Sequence, residues 1–307
     1  MTARVSILMT IYNPGRFLAP AVESLLRQTM PDFELIAVEN GSRDGSRDVI
    51  RRYTTDPRIR LIEKDDNIGR VAALNLALRD ARADYVAILD ADDVTHPERL
   101  ADEARVLDAE PDVVTVGSHA RLIDAEDRVI GAHTPQTTPE ALLDALAYSN
   151  PFPHSSVMYR RRAAIECGGY DPRYPFANDL AMTLNLTRRG QPAMIGRFLT
   201  DVRYHAGNAS SAPAHYYSRY DEMLALYRSS MQRPGLSPRA RRLGHANLAT
   251  THYVYARELA KGGRPFPALV HLGCMIAADP VFCLRRAAVH AMRPFASNVD
   301  SADVSAR

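Results

Sequence analysis

Residues 85–93 read Tyr-Val-Ala-Ile-Leu-Asp-Ala-Asp-Asp. The apolar run 85–89 has the length and content of a strand buried on both faces. Three carboxylates follow it within four positions: Asp90, Asp92 and Asp93. Carboxylates crowded in this way repel one another, and a cation at the strand end relieves the repulsion. Hard oxygen ligands suit Mg2+ or Mn2+, which take one or two carboxylates and complete their shell with substrate phosphates and water. For these residues alone the competing reading is a solvated acidic turn capping the next helix.

Working outward from this stretch, strand and helix signals alternate. Apolar runs predict strands over residues 5–11, 33–38, 59–63 and 113–116. Helical spacing fills residues 17–28, 71–78 and 97–108, with Asp44 or Ser46 capping a further helix after the Asn40-Gly41-Ser42 loop. Such alternation predicts a mainly parallel sheet covered by helices on both faces. Ligands sit at the carboxyl ends of the strands in sheets of this kind. That rule puts Tyr12, Glu39, the 65–67 loop and residues 90–93 on one rim.

The middle of the chain reads as a hairpin over 121–130, a short helix over 140–148, a loop at 150–153, a strand over 157–160 and a Gly168-Gly169 turn. A helix over 179–188 and a strand over 193–205 follow. Asp179 opens its helix, where the positive end of the helix dipole favours a carboxylate that could accept a proton from a hydroxyl. His205 lies just past its strand, a position from which an imidazole can ligate a metal or a phosphate. From about residue 214 the pattern is helical, over 216–231, 238–261, 267–278 and 281–292.

Composition removes several classes. The chain has 307 residues, 46% apolar and 24% charged, a globular balance without repeats. Three cysteines at no metal or disulfide spacing argue against a disulfide scaffold and for a reducing cytosol. The opening apolar run is broken by Asn13-Pro14-Gly15 and reads as a strand, not a secretory signal. GxGxxG, GxxxxGK[ST], HExxH, CxxC and GxSxG are all missing from the sequence, which weakens dinucleotide, P-loop, zincin and serine-hydrolase readings. Charge is uneven: residues 1–218 hold 25 Lys and Arg against 30 Asp and Glu, whereas residues 219–293 hold 12 against 4.

Seven segments in order resemble family 2 glycosyltransferases with the GT-A fold, over residues 4–211. Val5-Ser6-Ile7-Leu8-Met9-Thr10-Ile11-Tyr12-Asn13 is similar to the family's opening strand, and Val38-Glu39-Asn40-Gly41-Ser42-Arg43-Asp44-Gly45-Ser46 to its VDDGSTDGT. Asn67-Ile68-Gly69 through Asn75 resembles NxGxxxARN, and residues 90–93 resemble its DxD motif. His154 with residues 158–161, together with 168–171, looks like the acceptor-side segment. Asn178-Asp179 falls where Glu-Asp is usual, and Arg203-Tyr204-His205 resembles YRxH.

The resemblance implies an α/β GT-A catalytic domain over residues 1–213, with a nucleotide-binding half to about 118 and an acceptor half from 119. A basic helical region over 214–307 follows it. It implies an inverting, metal-dependent transfer from a nucleotide-diphosphate sugar, a UDP-sugar by frequency in the family, to a glycan or lipid-linked hydroxyl. Thr10, Tyr12 and Glu39 would line the nucleobase pocket, with Asp66, Asn67 and Arg70 on the adjacent rim. Asp90 and Ala91 would face the ribose or sugar. Asp92, Asp93 and His205 would hold Mn2+ or Mg2+, and Asp179 would be the general base. Four departures stand out: Glu39 and Asn40 for the two Asp, Leu74 where Arg is frequent, and Asn178 for Glu.

The sequence admits two other readings: a nucleotide-sugar-binding protein without turnover, which Asn178 favours, and a sugar nucleotidyltransferase, which the Gly-poor residues 11–16 disfavour. The tail arginines Arg239, Arg241, Arg242, Arg285, Arg286 and Arg293 suit either an anionic membrane surface or a solvated face packed on the core or on a second subunit of a homodimer. No motif for nucleic acid accompanies them. The expected location is cytoplasmic, with the tail at the inner face of the membrane.

Overall fold

The computed structural model describes residues 3–205, 207 and 216–280. It divides into two compact units, residues 1–214 and 215–307.

In the first unit, β1 (Val5–Ile11), β2 (Phe33–Asn40), β3 (Ile59–Lys64) and β4 (Tyr85–Ile88) alternate with α1 (Leu18–Leu26), α2 (Ser46–Tyr53) and α3 (Arg70–Asp80). A two-residue β5 (Val94–Thr95) precedes α4 (Arg99–Ala109) and the long β6 (Val113–Ile123), which turns back as β7 (Val129–His133). Then come α5 (Pro139–Ala145), β8 (Met158–Arg160), α6 (Arg161–Glu166), α7 (Asn178–Leu186) and β9 (Gln191–Arg203). The sheet runs β3-β2-β1-β4-β8-β6-β9-β5, with β7 on β6. Pairing is parallel among β1–β4 and between β6 and β9, and antiparallel where β5, β7 and β8 take part.

Successive side chains of a strand point to opposite faces, so the continuous apolar run of β1 feeds two cores. Val5, Ile7, Met9 and Ile11 pack with Leu18, Val22 and Leu25 of α1 and Leu100, Ala104 and Leu107 of α4. Leu8 joins Ile36 and Val38 against Val71, Leu74 and Leu78 of α3, with Phe152, Tyr159 and Tyr170 completing that side. Burial on both faces is what made these strands read as unbroken apolar runs.

The structure refines the sequence reading in detail. The strand expected at 113–116 is the start of β6, which continues to Ile123, and β8 lies between it and β4. Residues 161–166 are helical, a helix the sequence reading did not anticipate. The cap of α2 is Gly45, with φ +88°, while the Asp44 Oδ1 accepts from the Ser46 N–H at 3.0 Å.

In the second unit, α8 (Tyr216–Met231), α9 (Pro238–Lys261) and α10 (Pro265–Ala278) follow. Ser237 accepts from the Ala240 N–H at 3.1 Å and Pro238 occupies the first turn, a strong start for α9. Tyr217, Tyr220 and His271 gather around the Tyr255 ring. The helix expected over 281–292 lies outside the described residues. Among the described residues no helix is long and apolar enough to cross a membrane.

Candidate active site

The carboxyl end of β4 delivers the acidic run to the rim, and each of its carboxylates meets a different partner. Asp90 Oδ1 accepts from Arg70 Nη2 at 2.6 Å, and its backbone N–H donates to Ser155 Oγ at 3.0 Å. Arg70 Nη2 also lies 2.8 Å from His154 Nδ1. The other ring nitrogen of His154, Nε2, lies 3.2 Å from Tyr170 Oη. Tyr170 Oη in turn lies 3.3 Å from Tyr159 Oη. Burial works to raise the Asp90 carboxyl, but Arg70 and His154 outweigh it and hold it well below the usual carboxylate range.

Arg70 gathers the centre electrically. Burial opposes its charge, and Asp90, Asp179 and Asp92 outweigh that opposition in turn. The residue expected on the base or ribose rim thus points into the acidic centre.

Asp92 Oδ2 lies 3.1 Å from His205 Nε2. Burial, and then the neighbouring Asp90, push the Asp92 carboxyl up. The His205 ring sits 4.6 Å from that of Phe17, in the short turn that precedes α1. Cis ligands of an octahedral ion bound at about 2.1 Å lie about 3 Å apart, so this oxygen and nitrogen are spaced for one Mg2+ or Mn2+. Among the described residues there is no cluster of three or more His, Cys, Asp or Glu side chains able to hold a metal. Two protein ligands, with the rest from diphosphate and water, nevertheless fit these cations.

Asp93 turns the other way. It is buried, Oδ2 accepts from Ser155 Oγ, and Oδ1 accepts from the Arg203 N–H at 2.7 Å. Burial, then Asp92 and Asp90, push its carboxyl well above the usual range. Arg203 closes this corner: Nε donates to the Asp92 carbonyl at 2.8 Å, Nη1 to the Asp124 carbonyl at 3.0 Å, and its guanidinium lies 4.7 Å over the Phe17 ring.

Elsewhere on the rim, among the residues expected at the nucleobase or sugar, Thr10 is half-buried near the end of β1, Tyr12 is 52% exposed just beyond it, and Ala91 is buried. Glu39 is fully buried; its oxygens accept from the Ser42 N–H at 2.6 Å and Arg47 Nε at 2.8 Å. Burial raises its carboxyl, and these two partners bring it below the usual range. Asp66 and Asn67 are exposed. Asn40 locks their loop, donating to Asn67 Oδ1 at 3.0 Å and accepting from the Ile68 N–H at 3.0 Å. Gly41, at φ +77°, lets the two loops meet, since a Cβ there would come within 2.6 Å of the Asp66 carbonyl carbon.

Asp179 stands in the first turn of α7, and its Oδ2 accepts from Asn150 Nδ2 at 2.9 Å. Its neighbour Asn178 is 4% exposed, with Nδ2 donating to the Pro175 carbonyl and, among the described residues, no hydrogen-bond partner for Oδ1. Asn150, Ser155 and Arg203 are the residues that sequence reasoning did not assign. Arg203 had a signal, because it stands in the segment resembling YRxH.

The family model described as "Glycosyl transferase family 2" matches residues 6–169. The chain belongs to glycosyl transferase family 2. Among curated relatives, the EpsE protein of Bacillus subtilis is 34% identical over 169 residues, covering 54% of this chain and 60% of that protein. The uncharacterized glycosyltransferase MJ1057 of Methanocaldococcus jannaschii is 34% identical over 135 residues, 43% of this chain and 47% of its own length. The match thus spans only about half of those relatives. Among solved structures, S. aureus TarS 1–349 in complex with UDP-GlcNAc aligns with TM-score 0.68 at 18% identity, over 91% of this chain and 81% of that one. The mannosyltransferase PcManGT of Pyrobaculum calidifontis, in complex with GDP-Man and Mn2+, aligns with TM-score 0.59 at 19% identity, over 97% and 83%. At such identities the likeness speaks for the fold, which is GT-A, as the sequence resemblance implied.

Proposed function

We propose that this family 2 member is an inverting glycosyltransferase that moves a sugar from a nucleotide-diphosphate sugar, a UDP-sugar first among them, to a hydroxyl of a glycan or lipid-linked acceptor. The observation that carries the reading is the convergence at one strand end of Asp90 with Arg70 and of Asp92 with His205, with Asp179 near enough to act on Arg70. UDP-GlcNAc in the TarS complex and GDP-Man in the PcManGT complex support a nucleotide-sugar donor.

Thr10, Tyr12, Asp66 and Asn67 take the nucleobase and ribose, while Glu39 acts by holding the Ser42 turn beside them. Asp90 and Ala91 border the sugar, with Asp90 fixed by Arg70 and His154. Asp92 and His205 would hold a Mg2+ or Mn2+, whose charge would offset that developing on the departing diphosphate. Asp93 supports the pair from behind, through Ser155 and the backbone of Arg203. In the transfer step the acceptor oxygen forms a bond to the anomeric carbon as the bond from that carbon to the diphosphate oxygen breaks. The bonding pair leaves with the nucleoside diphosphate, the hydroxyl proton passes to Asp179, and the configuration inverts. The leaving group is a phosphate ester and needs no general acid.

Release of UDP or GDP from UDP-GlcNAc, UDP-glucose and GDP-mannose, by wild type and Asp179→Asn, tests the reading. Turnover in wild type that falls at least about a hundredfold in the variant supports it; equal turnover in the two sinks the base assignment. The second reading, a binder without turnover, is favoured by Asn178, whose buried Oδ1 finds no partner among the described residues. Donor binding with no release from any of the three would favour it. The proposal also has the protein in the cytoplasm, with its basic tail at the inner face of the membrane. Sedimentation with anionic vesicles tests that part, and light scattering tests for a homodimer.

A further inference from the structure

The loop at residues 150–153 carries no motif, yet it is built as a rigid mount for one side chain. Asn150 Oδ1 accepts from the Phe152 N–H at 3.2 Å, a turn that fixes which end of the amide faces outward. The Phe152 ring is buried against Gly117, where a Cβ would come within 2.7 Å of it. The Pro151 carbonyl accepts from His133 Nε2 at 3.0 Å. With the loop held at three points, Asn150 Nδ2 donates to Asp179 Oδ2 at 2.9 Å. Among the described residues this is the one hydrogen bond that the Asp179 carboxylate accepts.

We propose that Asn150 is a positioning residue for glycosyl transfer: its anchored amide holds Asp179 by one oxygen and so aims the other at the acceptor hydroxyl. The proposal rests on the assignment of Asp179 as base. A carboxylate on the first turn of a helix has free rotation about two side-chain bonds. A single fixed donor removes that freedom without occupying the oxygen that takes the proton. Backing the base by a third group that orients it is the general arrangement of acid–base sites. Asn150 also couples the base to the 150–156 segment that carries His154 and Ser155, the partners of Asp90 and Asp93. One segment thereby sets the donor-side carboxylates and the acceptor-side base in a common frame.

Two variants separate positioning from folding. Asn150→Asp keeps an acceptor for the Phe152 N–H but offers Asp179 an oxygen instead of an N–H. Asn150→Ser keeps a turn-forming hydroxyl that is too short to reach Asp179. Crystals of wild type and Asn150→Ser, each soaked with UDP-GlcNAc, give the first readout. Asp179 is expected in one rotamer on Asn150 in wild type, and in another or several in the variant; an unchanged Asp179 rotamer overturns the proposal. Release of UDP from UDP-GlcNAc and of GDP from GDP-mannose gives the second. Both variants are expected to lose about tenfold to a hundredfold in kcat, the worth of one charge-assisted hydrogen bond, with donor KM and melting temperature unchanged. A kcat within twofold of wild type overturns it, as does a loss confined to KM. If Asp179→Asn turns over like wild type, the base assignment has failed. If Asp179→Asn is inactive while the Asn150 variants are not impaired, only the positioning role has failed.

Discussion

Replacing Arg99 by Met tests how the acidic rim is held in place. Arg99 is fully buried at the start of α4, and its Nε donates to Glu103 Oε1 at 3.0 Å, which is equally buried. Its other nitrogens donate to the Ile88 carbonyl at 3.0 Å and the Val157 carbonyl at 3.1 Å. Ile88 ends β4 just ahead of Asp90, and Val157 directly precedes β8, so one guanidinium fastens both strands beneath the site. Arg99→Met leaves a buried carboxyl alone and two carbonyls without that donor. Removing one partner of a buried ion pair costs about 3–5 kcal/mol. The lower end applies here, because burial already pushes the Glu103 carboxyl up to about 7 against the pull of Arg99, so it can protonate once the arginine is gone. For a unit of this size 1 kcal/mol lowers the melting temperature by about 2–4 °C, which gives a loss of about 6–12 °C for about 3 kcal/mol. Thermal melting followed by circular dichroism measures it. Arg99→Met/Glu103→Leu, which removes both charges, is expected to recover most of the loss. The reasoning is refuted if Arg99→Met melts within about 2 °C of wild type, or if the double variant is no better than the single.

Further expectations follow from the same contacts. The folded carboxyl of Glu103 lies above its unfolded value of 4.5, at about 7, so its contribution to stability is complete below pH 4.5 and fades as pH rises through 7. Wild type should therefore lose stability between about pH 4.5 and 7, and Glu103→Gln should lose less; parallel pH–melting curves would contradict this. Glu34 has the opposite sign. Burial raises its carboxyl, but Ser6, Arg60 and the Arg82 N–H bring it below 4.5, so its contribution is present above that pH and lost as pH falls through the depressed value. Glu34→Gln should cost about 1–3 kcal/mol at neutral pH and progressively less as pH falls below 4.5, as read by urea unfolding across a pH series. Gly41→Ala places a Cβ 2.6 Å from the Asp66 backbone at a φ of +77°. It should cost about 2–4 kcal/mol from strain and overpacking, and should weaken nucleotide binding through the 65–67 loop, which titration calorimetry would register.

The parallel half of the sheet was legible because β1, β2 and β4 are buried on both faces, and burial of that kind writes an unbroken apolar run. The short strands were not. The pairing of β8 between β4 and β6 is decided by backbone bonds to distant segments, and the two residues of β5 leave no pattern at all. The start of α6 was hidden by Arg160-Arg161-Arg162, which look like a surface turn; Arg160 instead donates inward to the Val113 and Leu107 carbonyls. The site shows the same division. The adjacency of Asp90, Asp92 and Asp93 can be seen in the chain, but not that Asp93 faces Ser155, that Arg70 faces Asp90, or that Glu39 is engaged by Arg47. Those orientations depend on partners 8 to 62 residues away. Asn150 was invisible for the same reason: an Asn before a Pro signals only a loop until the fold brings Asp179 to it.

The central claim is a nucleotide-diphosphate site completed by a divalent cation at Asp92 and His205. Calorimetric titration of UDP into wild type and Asp92→Ala, with and without Mn2+, tests it most directly. The account predicts binding to wild type that tightens at least about tenfold with Mn2+, and a metal effect that disappears in Asp92→Ala. Binding of UDP, GDP and dTDP that is equally tight with and without Mn2+, and equal in the two proteins, would contradict it.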